Sequence, residues 1–324
     1  MAKSKPIRGI ACDDKAAGAI RSVVEGRLDE MCALRDAALD WIDPEGVHDM
    51  RVASRRLRGA LQDFSPYLRK VRLAPLLRDI KGIADSLGRV RDYDVAIMAL
   101  EQIAANAPSE VAQGIQRFAD FRRVGQSEAR VKLMPSLEPS HLTQVKAKTE
   151  ESFERGLFFS SPRKKAVADT SYNEIARSVC LARLAELEKL SGSLYKPFTI
   201  KPLHQMRITA KHLRYALELF QDCLGSYAGQ TAKKVARLQS SLGGLHDCDI
   251  WIEDFGKSAQ YKVPNMDFDL KQVSVWLINY FSKERGKHHR KALTSWLAWE
   301  AEDVGNKLRK NLKRNTASRK GDEA

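Results

Sequence analysis

Apolar residues recur along the chain at the three- and four-residue spacing of amphipathic helices, and the period-2 alternation of strands is absent. The spacing predicts about six helices in each half of the chain, joined by short connections. Gly88 is expected to end one of these helices, and Asp92 or Asp94 to cap the next. We therefore expect an all-α protein built as two tandem helical bundles.

One stretch of this pattern occurs twice. It begins at His48 and again at His204, and 8 of 17 aligned positions are identical. A second matched block begins at Ser86 and again at Ser241, with 6 of 12 positions identical. The two offsets are 156 (204 − 48) and 155 (241 − 86), so the chain is predicted to contain an internal duplication.

Each copy of the repeated helix places its apolar side chains on one stripe and its basic side chains on the opposite side. The basic side is formed by His48, Arg51, Arg55 and Arg58 in the first copy and by His204, Arg207, Lys211 and Arg214 in the second. No acidic residue lies among them on that face, and like charges one turn apart repel by a few tenths of a kcal/mol. A partner outside the helix is therefore expected. The next helix of each half adds outward cations, at Arg78, Lys81, Lys233 and Arg237.

The charge balance narrows the class of partner. Fifty-five Lys and Arg against 41 Asp and Glu leave a net charge of +14, which favours nucleic acid, an anionic membrane or a phosphate polymer. No segment approaches the ~18 apolar residues of a membrane span, and the N-terminus lacks a signal-peptide core. The five cysteines are odd in number and contain no CxxC, which favours reduced thiols. We expect a soluble cytoplasmic protein.

Composition also predicts the domain boundaries. A proline-containing basic block that starts at Ser160 is typical of a linker, and seven basic residues without an acid between 307 and 320 are typical of a disordered segment. The expected organisation is a flexible N-terminus over 1–14, a first bundle over 15–160, a linker over 161–170, a second bundle over 171–304 and a disordered basic tail over 305–324.

The paired His-x-x-Arg-x-x-x-[Arg/Lys]-x-x-Arg helices and the Ser-Leu-Gly-x-x-x-Asp-x-Asp elements after them resemble the CHAD family, the conserved histidine α-helical domain. The resemblance extends over most of the chain and is to a stand-alone copy. It implies two bundles related by a pseudo-twofold axis, and a basic surface or pore that binds inorganic polyphosphate without catalysis. The ligand-facing residues that it implies are His48, Arg51, Arg55, Arg58, His204, Arg207, Lys211 and Arg214, with Arg78, Lys81, Lys233 and Arg237 on the next helices.

The dipeptide His246-Asp247 superficially resembles part of a metal-dependent phosphohydrolase site. The matched dipeptide in the first half is Arg91-Asp92, which keeps the aspartate and loses the imidazole. We therefore expect the shared aspartates, at Asp92, Asp94, Asp247 and Asp249, to be helix caps or partners of the basic helices. No Cys/His spacing fits zinc and no glycine-rich phosphate loop is present, so no metal or cofactor is expected.

Three classes of function follow from these residues. The first is a non-catalytic polyphosphate-binding module, including attachment to polyphosphate granules. The second is a nucleic-acid-binding protein, for which stacking aromatics are scarce beside the basic face, Tyr215 being the main candidate. The third is an enzyme of phosphate-polymer metabolism, for which the chain lacks a carboxylate cluster suited to Mg²⁺.

Overall fold

The computed structural model describes residues 7, 9–158, 170–260 and 270–314. Within this part the chain forms twelve α-helices and short 3-10 turns, and the only β-contacts are two isolated antiparallel bridges, Lys15–Ser171 and Leu68–Phe158. The all-α prediction is therefore confirmed. The chain divides into two compact units, 1–175 and 176–324. Of the predicted linker, residues 161–169 lie outside the described part.

The first unit is organised around one long helix. Its helices are α1 Ala16–Cys32, α2 Arg35–Leu39, α3 Pro44–Asp63, α4 Lys70–Ala104, α5 Ser109–Leu133 and α6 Pro139–Glu154. Helix α4 packs against α3, α5 and α6, and α1 packs against α3. Because α3 and α4 are joined by a short connection and pack side by side, they run antiparallel.

The second unit follows a similar order. Its helices are α7 Tyr172–Lys189, which starts just before the division, then α8 Ile200–Leu219, α9 Gln221–Leu224, α10 Ser226–Ser258, α11 Leu270–Ala301 and α12 Val304–Arg314. The long helix α10 packs against α8 and α11, as α4 packs against α3 and α5. The repeated basic stretches fall on α3 and α8. The internal duplication itself stays a prediction.

The apolar stripes of the two repeated helices form core, as predicted. On α3 the buried stripe consists of Met50, Ala53, Leu57, Ala60 and Leu61, and on α8 of Met206, Ala210, Leu213, Ala216 and Leu217. Local signals fix the start of α3: the Asp43 carboxylate accepts a hydrogen bond from the backbone N–H of Glu45 at 2.9 Å, and Pro44 occupies the first turn.

The prediction that Gly88 ends a helix is wrong, because Gly88 lies inside α4, which spans 35 residues from Lys70 to Ala104. Glycine inside a helix costs about 1 kcal/mol relative to alanine, and the fully buried neighbours Leu87 and Val90 outweigh that cost. Helix α10 likewise passes through Gly243 and Gly244. The motif aspartates therefore lie in mid-helix, and their predicted role as helix caps is wrong.

The prediction of a disordered tail is wrong for residues 305–314, which belong to α12. Val304, Leu308 and Leu312 recur every four residues and are buried, so the segment has one apolar face beneath its many basic side chains. Helix α12 packs against α10 and α11. Residues 315–324 lie outside the described part.

Two observations bear on the expected compartment. No helix among the described residues combines the length and the apolar character needed to cross a membrane. Cys32, Cys180 and Cys248 are free thiols, whereas Cys12 and Cys223 are not, which contradicts the expectation of five reduced thiols. The cytoplasmic location stays a prediction.

Candidate functional site

The basic face of α3 lies between the core and the surface. His48, Arg51, Arg55 and Arg58 are all half-buried. Long basic side chains in such positions bury their aliphatic stems while part of the charged group reaches solvent. From His48 to Arg58 the helix rises ~15 Å, at 1.5 Å per residue. The predicted residues of α3 therefore form one basic track along the first unit.

Arg51 is held at this track by an acid from the neighbouring helix. Its Nη2 donates to Oδ1 of Asp92 on α4 at 2.9 Å. The guanidinium also lies over Gly88, where an added Cβ would approach Nε to 3.5 Å. The prediction that no acid offsets this basic face is therefore wrong for Arg51. The expectation that Asp92 pairs with the basic helix is confirmed.

Arg55 and Arg58 differ from Arg51 in this respect. Within the described residues neither side chain forms an ion pair or a hydrogen bond. They follow Arg51 along the same half-buried side of α3, one and two turns further toward the C-terminus. A half-buried guanidinium without a carboxylate has lost part of its hydration and has unused donors. These two residues are therefore the cations of α3 best prepared for an external anion.

His48 sits at the N-terminal end of the track, close to a second arginine. Burial, followed by the charge of Arg91, lowers the pKa of His48, and Glu45 and Asp49 oppose that shift. Nη2 of Arg91 lies 3.5 Å from Oε1 of Glu45. Arg91 comes from α4, so this end of the track is built from two helices. In the free protein we expect a neutral His48 at pH 7.

The two predicted cations of α4, Arg78 and Lys81, are exposed. Arg78 makes no ion pair within the described residues, and Lys81 pairs with Asp85 one turn further along α4. Helices α3 and α4 are antiparallel, so the end of α3 near Arg58 lies beside the N-terminal half of α4. Arg78 and Lys81 both lie in that half. They extend the basic track of α3 in the direction of its C-terminus.

In the second unit the repeated histidine contacts another histidine. Nδ1 of His204 on α8 lies 3.1 Å from Nδ1 of His246 on α10, and the ring centroids are 4.0 Å apart. Burial, then the charges of Arg207 and His204, lowers the pKa of His246 to about 4. Burial, then Arg207 and Lys211, also lowers the pKa of His204. Because both pKa values are lowered, we expect both rings to be neutral at pH 7, with one of the two facing nitrogens donating to the other.

The remaining cations of α8 are not equivalent to one another. Arg207 and Lys211 are half-buried, but Arg214 is only 6% exposed. Its Nε lies 3.6 Å from Glu218, and its guanidinium covers the ring of Tyr215, 4.9 Å from the centroid. The expectation that Arg214 lies on an outward face is wrong, because Arg214 is buried against the adjacent Tyr215 ring and a carboxylate one turn away.

On α10, Lys233 and Arg237 are exposed, as their counterparts on α4 are. The hydrogen bonds of the two inner motif aspartates go to helices other than the basic ones. Asp94 accepts a hydrogen bond from Gln126 on α5 at 2.6 Å, and Asp249 accepts one from Arg285 on α11 at 2.6 Å. Each therefore joins its long helix to the next helix in the unit. The charge of Asp249 also opposes the lowering of the His204 pKa, so Asp249 acts on the basic helix α8 without a hydrogen bond to it.

A comparison with protein families identifies the family of this chain. The family model of the CHAD domain matches residues 22–254, which is most of the chain. The chain belongs to the CHAD family.

Two solved structures share the fold of this CHAD protein. The crystal structure of the CHAD domain from the plant Ricinus communis matches with a TM-score of 0.60 and 23% identity, over 96% of each chain. PptA from Streptomyces chartreusis matches with a TM-score of 0.66 and 14% identity, over 88% of this chain and 100% of that one. No curated protein gives a significant match.

We call the basic residues His204, Arg207 and Lys211 of α8, with Lys233 and Arg237 of α10, the second basic track. Sequence reasoning missed two groups that the CHAD fold brings to the two tracks. Arg91 approaches His48, and His246 approaches His204. The two missed residues occupy matched positions of the Ser-Leu-Gly blocks, at an offset of 155 (246 − 91). The repeat spacing contained this signal, since each residue follows its histidine by 42 or 43 positions. The match was visible in the sequence, but the contact with the repeated histidines was not, because it joins two different helices.

One group of possible metal ligands lies on the first track. Ligand atoms of Glu45, His48 and Asp49 come within 4.8 Å of one another, and no other such group occurs in the described part of this CHAD protein. Glu45 also has Arg91 as a partner. The matched positions in the second unit hold Lys201 and Gln205, so the arrangement is not repeated. The expectation of no metal stays a prediction.

Proposed function

We propose that this CHAD protein binds inorganic polyphosphate, without catalysis, along the basic tracks of α3–α4 and α8–α10. Family membership supports an association with polyphosphate, since that is what the CHAD resemblance implies. The net charge of +14 supports a polyanionic ligand of some kind. The proposal rests mainly on Arg55 and Arg58, which have no carboxylate partner within the described residues.

These two guanidinium groups favour a linear, highly charged ligand for a physical reason. Successive phosphates need repeated donors along a line rather than a single enclosed pocket. Arg55 and Arg58 supply such donors without first giving up a carboxylate partner, because within the described residues they have none. A charge-assisted hydrogen bond contributes roughly 1.5–3 kcal/mol before the cost of ordering the side chain. Arg51 and Lys81 add donors after exchanging Asp92 and Asp85 for phosphate.

The nucleic-acid alternative receives less support from the described geometry. Base stacking on aromatic side chains is the usual source of affinity for single strands. Tyr215, the main aromatic candidate of the repeated helices, is buried and its ring is covered by Arg214. Recognition of base edges in a groove of duplex nucleic acid is not supported by any of the described residues discussed above. Nucleic acid therefore remains the competitor in the test below.

The decisive measurement is a competition titration. Labelled long-chain polyphosphate bound to the protein is displaced by unlabelled polyphosphate, single-stranded DNA, duplex DNA and RNA at ~150 mM salt, near physiological screening. Selective displacement by polyphosphate is expected. Equal or better displacement by a nucleic acid would contradict the proposal. The absence of catalysis is tested in parallel, by incubating polyphosphate with protein and Mg²⁺ and following phosphate release and chain length.

A pair of charge-matched double variants assigns the ligand to the track. Arg55→Gln with Arg58→Gln removes two unpaired cations of α3, and Lys310→Gln with Lys313→Gln removes two exposed cations of α12. The first is expected to weaken polyphosphate binding at least ~10-fold, about 1.4 kcal/mol. It should also reduce the salt slope by about two contacts. If the α12 variant had the larger effect, the assignment to the tracks would be wrong. The variant Arg51→Ala with Arg207→Ala tests the two units together and is expected to act in the same direction.

A further inference from the structure

The two repeated basic helices differ in charge at their N-terminal ends. In the first unit, carboxylate oxygens of Glu45 and Asp49 lie within 4.8 Å of a ring nitrogen of His48. Asp40 and Asp43 come just before them in the chain, and both are exposed. Four carboxylates therefore lie at or just before the N-terminal end of the first basic track, which runs along α3 from His48.

The matched positions of the second unit carry no acid. At the repeat offset of 156 (204 − 48), the four acids are matched, in order, by Lys196, Thr199, Lys201 and Gln205. The formal charge of these four positions is −4 in the first unit and +2 in the second, a difference of six. Both lysines are exposed, and neither forms an ion pair within the described residues.

Charges on the long helices α4 and α10 do not cancel this contrast. The two aspartates of the Ser-Leu-Gly block occur in both units, so they contribute equally. Arg91 on α4 lies 3.5 Å from Glu45 and offsets one acid of the first unit. Its match, His246, has a pKa of about 4 and is neutral at pH 7. The difference between the two ends is therefore still five charges.

The helix termini add to the contrast. The positive end of a helix macrodipole lies at the N-terminus. In α3 the Asp43 carboxylate accepts the backbone N–H of Glu45 and offsets that end. In α8 the matched Thr199 makes no side-chain cap, and its hydroxyl donates to the backbone carbonyl of Lys196 at 2.7 Å. A polyanion therefore meets a more positive potential at the start of α8 than at the start of α3.

Lys201 continues the second basic track beyond His204. It lies three residues before His204 on α8, a separation at which side chains are neighbours on the helix surface. The separation is ~4.5 Å along the helix axis and about 60° around it. With Lys201 included, the cations of α8 extend ~15 Å along the axis as far as Lys211. Lys196 is the next cation before them in the chain.

We propose that Lys201 and Lys196 are further contacts for the polyanion, and that Glu45 and Asp49 close the first basic track at His48. The ligand then continues past the N-terminal end of α8 but leaves α3 at its histidine. This inference rests on the proposed function, because it takes polyphosphate as the ligand. Every unit of that polymer is charged, so each further cation adds a contact and each acid opposes one. The two tracks are therefore unequal sites despite their shared motif.

The test exchanges these residues between the units. Glu45→Lys with Asp49→Gln gives the first unit the residues of the second, and Lys201→Glu with Gln205→Asp does the reverse. Long-chain polyphosphate is titrated at several salt concentrations. The first pair is expected to tighten binding at least ~5-fold, and the second to weaken it at least ~5-fold. The salt slope should steepen by about one contact in the first case and flatten by about one in the second.

Each exchange has a control with the same change in net charge. Glu128→Lys with Asp120→Gln adds the same charge on α5, at carboxylates that are 68% and 58% exposed. Lys271→Glu with Gln272→Asp removes the same charge on α11, at two exposed positions. Neither helix carries a residue of either track. Both controls are expected to change affinity less than about twofold, because salt screens distant charges.

Milder variants keep the test decisive if an exchange variant unfolds, which thermal melts detect. Glu45→Gln and Lys201→Gln each remove one charge from an exposed side chain. The first should tighten binding and the second should weaken it, each by roughly 2- to 3-fold. Unchanged affinity in both would overturn the inference.

The outcomes separate this inference from the proposed function. If the wild-type chain does not bind polyphosphate, both fail. If it binds and depends on Arg55 and Arg58, but each exchange variant matches its control, only this inference fails, because net charge alone then explains the change. Tighter binding after Lys201→Glu with Gln205→Asp would also overturn it. Opposite shifts for the two exchanges, each larger than its control, would support it.

Discussion

Removing the Asp92 carboxylate is expected to tighten polyphosphate binding rather than weaken it. Nη2 of Arg51 is held 2.9 Å from Oδ1 of Asp92, and the Asp92 side chain is 71% exposed. A phosphate that takes Arg51 must displace this carboxylate. The variant Asp92→Asn removes the competitor while keeping a side chain of similar shape. It also removes a negative charge from beside the track.

The size of the effect follows from two contributions. An ion pair with one exposed partner contributes roughly 0.2–1 kcal/mol, and in the variant the ligand no longer has to break this pair. Relief of repulsion between Asp92 and a phosphate ~8 Å away in water adds about 0.5 kcal/mol. Together these correspond to an affinity increase of roughly 3- to 12-fold, at 1.4 kcal/mol per tenfold. The salt slope should also steepen by about one contact as Arg51 becomes available.

The assay is a titration of long-chain polyphosphate at two salt concentrations, with Asp29→Asn as the control. Asp29 on α1 pairs with Lys146 on α6 at 2.6 Å and is 67% exposed, so both variants remove an exposed interhelical carboxylate. Both raise the net charge from +14 to +15. Asp29→Asn is expected to change affinity less than about twofold, a long-range effect that salt screens. Weaker binding by Asp92→Asn, or an equal gain for both variants, would refute the competition argument.

Two further predictions concern the second unit. Polyphosphate affinity is expected to rise as pH falls from 7 toward 5, because a polyanion favours the protonated forms of His204 and His246. Without ligand, the free energy of unfolding should fall as pH drops from about 6.5 toward 4. Over this range His246 binds a proton in the unfolded chain but not in the folded chain, where its pKa is about 4. His246→Gln should flatten both profiles in titrations and melts, and unchanged profiles would contradict this. Gly244→Ala should lower the free energy of unfolding by about 1–3 kcal/mol, because the added Cβ meets the His288 ring. The Cβ added by Gly243→Ala meets nothing within 4 Å, so that variant should raise the free energy of unfolding, by at most about 1 kcal/mol. Equal melting temperatures for the two glycine variants would contradict the packing argument.

Which side of each helix enters the core could be predicted from the sequence. The buried stripes from Met50 to Leu61 and from Met206 to Leu217 follow the 3.6-residue period, and burial of apolar area is the main driving force for folding. The start of α3 was also predictable, because the Asp43-Pro44 cap is a contact within one turn. These features depend only on neighbours along the chain.

Helix ends were less predictable where packing competes with local propensity. Gly88 is a breaker in isolation, but α4 passes through it because buried residues on both sides hold the helix to its neighbours. The basic segment after residue 304 has the composition of a disordered tail, but three buried residues attach α12 to α10 and α11. At Gly88, tertiary contacts outweigh a local preference of about 1 kcal/mol. At α12, they bury an apolar face that the basic composition does not reveal.

The sequence by itself therefore determined an all-α chain, the faces of its helices, and two stretches of basic residues in register. Only the tertiary structure decided which of those basic residues have partners. Arg51 meets Asp92, Arg214 is enclosed by Tyr215 and Glu218, and His204 faces His246. Arg55 and Arg58 remain without a carboxylate within the described residues. Periodicity specifies the direction of a side chain around its own helix, but the charge it meets belongs to another helix or to the next turn. That charge depends on how the helices pack and which rotamers the packing allows.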